Sequence, residues 1–330
     1  MRGSGAAEYE FAILGAGAMG SIVGGHLARA GHRVVMLARG ARAAQLEAHG
    51  IRIRGLSEFV TPVATLRDPA QLQGAATLIV ATKTPGTAAA LVPLRAARIG
   101  VALSLQNGTL KDELLREAFG AARVLGALAD TSGELLAGGE VLFTRNVNVL
   151  IGELGGGESE RASALARTLD AAGVRAAATP QILTLEWSKF CSWVGLIALA
   201  VSTRAATWKF LSDPDAALVL VRLVREMGRL AAALGIALSD QAILPTASLC
   251  QLGEAEAVAL VMRSGAHYRV HAAQHRMSAL QDVEAGRALE VHETFGYATG
   301  KARALGLELP LLEAFTLLLA AIDRTRDARG

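Results

Sequence analysis

The sequence predicts two domains: an α/β domain on a mainly parallel sheet over residues 1–178, and an all-α domain over residues 179–330. Three observations predict this. Short apolar runs alternate with helical stretches through the first half, as in a parallel sheet covered on both faces. After Pro180 the strand signals stop and long helical periodicity takes over. A chain of 330 residues, 52% hydrophobic and 19% charged, is long enough for two cores and too apolar to be disordered.

Each element has its own signal. Phe11-Ala12-Ile13-Leu14 is an apolar run ending in a Gly-rich turn, and residues 21–30 are helical in composition and stop at Gly31. Residues 33–38 read as the next strand, and residues 41–49 as a helix ending at Gly50. Ile51-Arg52-Ile53-Arg54 alternates with period two, as a half-exposed strand does, and residues 60–65 are expected to pair with it. Residues 77–81 and 101–105 are buried-type strands, with a helix near 87–95 between them and another over 110–119. Strands are expected at 124–128, 141–143, 147–151 and 175–178, some forming an antiparallel edge, with a helix over 158–172. In the second half, helices are expected over 183–200, 216–234, 240–262, part of 267–280, 289–305 and 311–324, punctuated by Gly235, Pro245, Gly265, Gly306 and Pro310.

Composition narrows the function. The net charge of +3 is too small to argue for duplex nucleic acid or an anionic membrane as partner, and at 4% aromatic the chain lacks the stacking residues of single-strand binders. Cys191 and Cys250 have no CxxC spacing and sit in apolar surroundings, which suits buried thiols in a reducing cytoplasm. Residues 11–25 are uncharged, like a signal-peptide core, but the flank is acidic (Glu8, Glu10) and the stretch is rich in glycine. The twelve-residue apolar runs 190–201 and 311–322 suit buried helices rather than membrane spans. Met1-Arg2-Gly3-Ser4-Gly5 reads as a polar terminal segment, native or added.

Gly15-Ala16-Gly17-Ala18-Met19-Gly20 fits GxGxxG, and it follows a strand and opens a helix leading to a second strand, which is the context that gives the motif meaning. Gly15 permits the tight turn, Gly17 lets the backbone approach a pyrophosphate, and Gly20 lets helix and strand pack closely. The helix start, at Ala18 and Met19, supplies amide donors. This makes the first domain Rossmann-type. NAD and FAD binders of this kind carry an acid at the end of the second strand, and here the chain reads Met36-Leu37-Ala38-Arg39. A guanidinium suits a 2′-phosphate, so Arg39, assisted by Arg42, points to NADPH/NADP.

Four further stretches follow in order: Ala81-Thr82-Lys83, Gln106-Asn107-Gly108, Trp187-Ser188-Lys189, and Ser278-Ala279-Leu280-Gln281-Asp282 with Glu290 beyond it. With the glycine fingerprint and the closing Leu305–Pro310 segment, the chain resembles the ketopantoate reductase family over nearly its whole length. The resemblance implies NADPH-dependent reduction of a 2-oxo acid, by family default 2-dehydropantoate to D-pantoate in pantothenate biosynthesis. It implies that Lys189 is the catalytic lysine, hydrogen-bonding and protonating the substrate oxygen, and that Glu290 is its catalytic partner. It places Ser278 on the substrate carboxylate, Asn107 by the nicotinamide ribose and the substrate, and Lys83 near the cofactor. Each residue also has a plainer structural reading: a snorkelling lysine, a helix-surface carboxylate, a cap, an Asn-Gly turn and a loop cation.

The chain departs from the family pattern four and eight residues beyond Lys189. Two asparagines are usual there, and Trp193 and Ile197 stand in their places. Both positions lie on the lysine's helix face. An apolar wall in place of polar contacts points to a different, more hydrophobic 2-oxo acid as the alternative substrate. A non-catalytic NADP(H)-binding sensor is the alternative of another class. His267, His271 and His275 would line one face of a continuous helix, but nothing completes a metal motif, and no metal is expected. Phe295, Leu311, Leu312 and Phe315 are candidates for a homodimer interface, with intramolecular core as the other reading.

Overall fold

The computed structural model describes residues 9–325. The polar opening segment, residues 1–5, lies outside them. The chain divides into two compact units, residues 1–107 with 111–183, and residues 108–110 with 184–330.

The first unit runs β1 (Tyr9–Leu14), α1 (Ala18–Arg29), β2 (Val34–Leu37), α2 (Gly40–His49), β3 (Ile51–Gly55), β4 (Phe59–Thr61), β5 (Ala64–Leu66), β6 (Gly74–Val80), α3 (Thr87–Leu91), β7 (Arg98–Ser104), α4 (Leu110–Phe119), β8 (Gly126–Leu135), β9 (Val141–Gly152), α5 (Glu160–Ala171) and β10 (Ala176–Ala178). Strands β5-β2-β1-β6-β7 form a wholly parallel sheet. Side chains alternate across it with period two. Phe11, Ile13, Val34 and Met36 enter one core with α1 and α5, while Ala12, Leu14, Val35 and Leu37 enter a second core on the opposite face. Both faces are buried, so these strands read as unbroken apolar runs rather than as alternation.

The late strands do not form an edge of that sheet. They make a second sheet, in which β9 pairs β8 antiparallel along one side and β3 and β10 parallel along the other. The two strands expected at 141–143 and 147–151 are one, because Arg145 and Asn146 continue the ladder opposite Ser132 and Thr131, while Thr144 and Val147 are passed over at the two register shifts. The strand expected over 60–65 is divided. Pro62 has no N–H to give a ladder, so β4 pairs β3 while β5 joins β2 in the other sheet.

Helix α1 packs between the two sheets, and its eight residues from Gly20 to Leu27 are all buried. A Cβ on Gly24 would lie 2.6 Å from Met36 Sδ, and one on Gly25 would lie 2.9 Å from Ile51 Cγ2. Side chains at these positions would push α1 off one sheet or the other.

The second unit is helical: α6 (Ile182–Thr203), α7 (Thr207–Ser212), α8 (Pro214–Ala233), α9 (Thr246–Gln251), α10 (Glu254–His271), α11 (Ser278–Glu284), a π-helical turn (His292–Gly296), α12 (Tyr297–Ala304) and α13 (Pro310–Thr325). Helix α6 is long and apolar enough to cross a membrane by length and composition alone, and its apolar window is 83% buried within the protein. The helix expected over 240–262 is broken. Pro245 delays its start to Thr246, and Gly253 separates α9 from α10. The helix expected over 289–305 begins as the π turn, with the Gly296 N–H donating to the Val291 carbonyl at 2.9 Å. Helix α7 has no forecast in the sequence pattern. Glu226 on α8 accepts from the N–H groups of Leu311 (3.1 Å) and Leu312 (2.8 Å), capping α13 from a distance in sequence.

Candidate active site

In the first unit, the predicted cofactor residues lie along one edge of the parallel sheet, at the carboxyl ends of β1, β2, β6 and β7. This is where open α/β sheets bind ligands. Gly15 leaves β1 at φ +103, and a Cβ there would meet the Thr82 backbone nitrogen at 2.8 Å. Gly20 is closer still: its Cβ would lie 1.9 Å from the Gly15 carbonyl oxygen. Gly17 is the N-cap of α1, and a Cβ there would meet nothing within 4 Å. The turn is therefore tight on its protein side and open in front of Gly17, with Ala18 and Met19 in the first helical turn, whose N–H groups have no intrahelical acceptor. That cradle fits a dinucleotide pyrophosphate.

Arg39 is exposed at the end of β2, in extended conformation as the N-cap of α2. Arg42, expected to assist it, is half-buried and turned the other way. Its Nε donates to the Ala16 carbonyl at 2.8 Å, Nη2 to Ser21 Oγ at 2.8 Å and Nη1 to the Gly139 carbonyl at 2.8 Å. Burial, with Arg52 nearby, holds its pKa below the usual guanidinium value.

Lys83 is exposed in the loop after β6, and Asn107 is half-buried after β7. Gln106, next to Asn107, links the two, a part its sequence context alone does not show. The buried Gln106 amide donates to Thr82 Oγ1 (3.0 Å), the Lys83 carbonyl (3.1 Å) and Thr87 Oγ1 (2.7 Å), and it accepts from Ser104 Oγ at 2.9 Å. Gln106 fixes the two loops that carry Lys83 and Asn107. Its place beside the Asn-Gly pair was the only available signal. The buried Lys111 ammonium donates to the Ser104 carbonyl at 3.1 Å and to the Ala127 carbonyl.

In the second unit, α6 carries Lys189, Trp193 and Ile197 at successive i+4 positions. Lys189 is half-buried, whereas Trp193 and Ile197 are buried. Trp193 and Ile197 line a cleft with Ser278 and Asp282 of α11, Glu290, Thr294 and Phe295 of the π turn and its approach, and Leu319 of α13. Four residues singled out in the sequence as substrate-contacting or catalytic, Trp193, Ile197, Ser278 and Glu290, thus meet in one pocket. Its floor is apolar, completed by Leu289 and Val291. The Asp282 carboxylate is held by Arg287 Nε at 2.8 Å, and the Thr294 hydroxyl donates to the Glu290 carbonyl. π-Helical turns recur at functional sites, and Glu290 lies two residues before this one, on the chain that leads into it.

Three other expectations concern histidines, thiols and apolar residues. The imidazoles of His267 and His271 lie tilted against each other on α10 with centroids 4.4 Å apart, but α10 ends at His271, so His275 leaves that face and its Nδ1 lies 2.9 Å from Thr207 Oγ1. Cys191 is buried and burial pushes its thiol pKa up, whereas Cys250 is only partly buried. Of the candidate interface residues, Phe295 and Leu312 are buried within this chain itself, while Leu311 and Phe315 are half-buried.

Two family models match the chain in sequence, described as Ketopantoate reductase PanE/ApbA over residues 11–156 and Ketopantoate reductase PanE/ApbA C terminal over residues 181–323. The chain belongs to the ketopantoate reductase family. Membership places it among oxidoreductases. It is 27% identical over 313 residues to a 2-dehydropantoate 2-reductase of Archaeoglobus fulgidus, covering 94% of this chain and 97% of that protein. A crystal structure of a PanE/ApbA family ketopantoate reductase from Ralstonia eutropha JMP134 is similar at 25% identity and TM-score 0.80, covering 96% of this chain and 99% of that one. D-mandelate dehydrogenase, in a ternary structure with NADH and anilino(oxo)acetate, shares the fold at 20% identity and TM-score 0.80, covering 96% of this chain and 98% of that one.

Proposed function

We propose that the chain reduces a 2-oxo acid to a D-2-hydroxy acid with NADPH, by family default 2-dehydropantoate to D-pantoate. In this reading, residues 1–178 bind the dinucleotide and residues 179–330 bind substrate and supply the catalytic groups. The observation that carries it is the single pocket gathering Ser278 and Glu290 against the α6 face that begins at Lys189.

A bound nicotinamide supplies the hydride. The remaining work falls to side chains. The Lys189 ammonium hydrogen-bonds the substrate carbonyl oxygen, stabilises negative charge as it develops there, and donates the proton that completes the hydroxyl. The Glu290 carboxylate orients that ammonium or a substrate hydroxyl. Ser278 donates its hydroxyl to the substrate carboxylate. In the first unit, the Gly17 to Met19 amides hold the pyrophosphate, and Arg39 pairs with the 2′-phosphate, which selects NADPH over NADH. Lys83 and Asn107 border the nicotinamide end.

A second reading is favoured by Trp193 and Ile197. Two bulky apolar side chains, with Leu289, Val291, Phe295 and Leu319 beside them, line the cleft. Such a wall favours an aliphatic or aromatic 2-oxo acid over one with a terminal hydroxyl. The shared fold with a D-mandelate dehydrogenase supports an aromatic candidate. Lys189→Ala tests the catalytic assignment. It is expected to lower kcat at least ~100-fold while NADPH binding stays within twofold. Unchanged kcat would remove Lys189 from the mechanism.

A further inference from the structure

Arg42, expected in sequence to assist Arg39, instead has its guanidinium engaged by the glycine-rich turn, by the start of α1 and by the distant β8–β9 hairpin. It donates to the Ala16 carbonyl in the glycine-rich turn, to Ser21 Oγ on α1 and to the Gly139 carbonyl at the tip of the β8–β9 hairpin, each at 2.8 Å. Ser21 is fully buried, and its Oγ donates to the same Ala16 carbonyl at 3.2 Å. The hairpin tip is held from its other side by Arg52, which donates to the Gly138 carbonyl.

The Ala16 oxygen and the Gly17 N–H belong to one peptide unit. That unit is planar and trans, so the two groups point in opposite directions. Two donors fix the oxygen on the protein side. The Gly17 N–H is thereby aimed away from Arg42. We infer that Arg42 is a positioning residue: it locks the Ala16–Gly17 peptide so that the Gly17 amide is presented to the cofactor pyrophosphate before the cofactor arrives. This rests on the proposed dinucleotide reading. The β8–β9 hairpin, part of the second sheet, thereby becomes part of the cofactor site through Gly139.

The chemistry explains why arginine suits the position. Its planar fork offers Nε and both Nη groups at fixed angles, and all three are used. A lysine ammonium reaches the Ala16 oxygen but cannot hold all three acceptors in that geometry. A glutamine keeps donors but lacks length and charge.

The test compares Arg42→Gln and Arg42→Lys with the full-length wild type. NADPH binding is followed by nucleotide fluorescence, and amide hydrogen exchange over residues 16–21 is followed in protein without nucleotide. Arg42→Gln is expected to raise the NADPH Kd about tenfold and to speed exchange over residues 16–21. Exchange in α5 should stay unchanged. The KM for the 2-oxo acid, and kcat at saturating NADPH, should stay within twofold. Arg42→Lys should recover part of the binding loss. NADPH affinity within twofold of wild type in both variants, or a loss confined to kcat, would overturn the inference. A wild type that binds neither NADPH nor NADH would overturn the proposed function and the cofactor role of Arg42 together. Unchanged exchange over residues 16–21 in Arg42→Gln would overturn the bracing itself, whatever the nucleotide result.

Discussion

Gly17 and Gly20 belong to the same motif, but substitution at each should fail differently. Gly17 has φ −70 and ψ −164, which alanine adopts without strain, and its Cβ would point into open space. Losing glycine at an N-cap costs a few tenths to about 1 kcal/mol, while the stiffer unfolded chain returns about 0.4–1 kcal/mol. The two nearly cancel. At about 2–4 °C per kcal/mol for a unit of this size, Gly17→Ala should move Tm by no more than a few degrees. The added methyl, however, takes up part of the open space at Gly17, where the proposed pyrophosphate would approach the backbone. Losing one charge-assisted hydrogen bond to a phosphate costs about 1.5–3 kcal/mol, or roughly 10–100-fold in Kd. Gly20→Ala is the contrast. Its Cβ would sit 1.9 Å from the Gly15 oxygen, where ordinary contact begins at 3.4 Å, so backbone must move. That should destabilise the fold by about 1–3 kcal/mol or more. The assay pairs thermal unfolding with NADPH titration for both variants. A Gly17→Ala protein with wild-type Tm and an NADPH Kd within twofold of wild type would refute the reasoning.

Three other perturbations follow from the structure. His26 is buried in α1, with Nδ1 2.7 Å from the Ile22 carbonyl oxygen, Nε2 3.0 Å from Ser57 Oγ, and the Phe59 and Phe143 rings edge-on. Burial lowers its pKa from 6.5, so the unfolded chain takes up the proton first. The stability His26 contributes is present above 6.5 and is lost as pH falls through that value toward the lower native one. Urea midpoints should fall more steeply below about pH 6.5 in the wild type than in His26→Gln, and equal slopes would contradict this. Glu226→Ala leaves the Leu311 and Leu312 N–H groups at the α13 start without their carboxylate and should cost about 1–3 kcal/mol by denaturant melts, with Glu226→Gln costing less. Trp193→Asn removes the largest apolar wall of the cleft, and it should raise kcat/KM for 2-dehydropantoate relative to an aromatic 2-oxo acid by about tenfold or more. An unchanged ratio would show that Trp193 does not set specificity.

The parallel sheet was legible in the sequence because burial on both faces leaves continuous apolar runs, as in Phe11-Ala12-Ile13-Leu14. The glycine fingerprint was legible because it follows a strand and opens a helix, and because Gly15 and Gly20 stand where a Cβ would run into backbone. The second sheet was not. Its strands are half exposed, and β9 carries Thr144-Arg145-Asn146 mid-strand, so periodicity fell into fragments, and β3 joins β9 from far away in sequence. The π turn was equally hidden, since its apolar spacing matches an ordinary helix and it is set apart by backbone hydrogen bonds such as that from the Gly296 N–H to the Val291 carbonyl. Ser278 and Glu290, expected from the family resemblance, and Trp193 and Ile197, expected where the chain departs from it, line one cleft. The hydrogen bonds of Gln106 and Arg42 were not legible, for a shared reason. They reach backbone carbonyls of distant segments, and no residue pattern encodes those.

The central claim is that this chain moves hydride from NADPH to a 2-oxo acid. The most direct measurement follows loss of NADPH absorbance with the purified protein and a panel holding 2-dehydropantoate beside aliphatic and aromatic 2-oxo acids, with NADH run in parallel. The account predicts turnover of at least one 2-oxo acid, faster with NADPH than with NADH, and abolished in Lys189→Ala. NADPH bound tightly but never consumed across the panel would contradict it and leave a nucleotide-binding protein without this reaction.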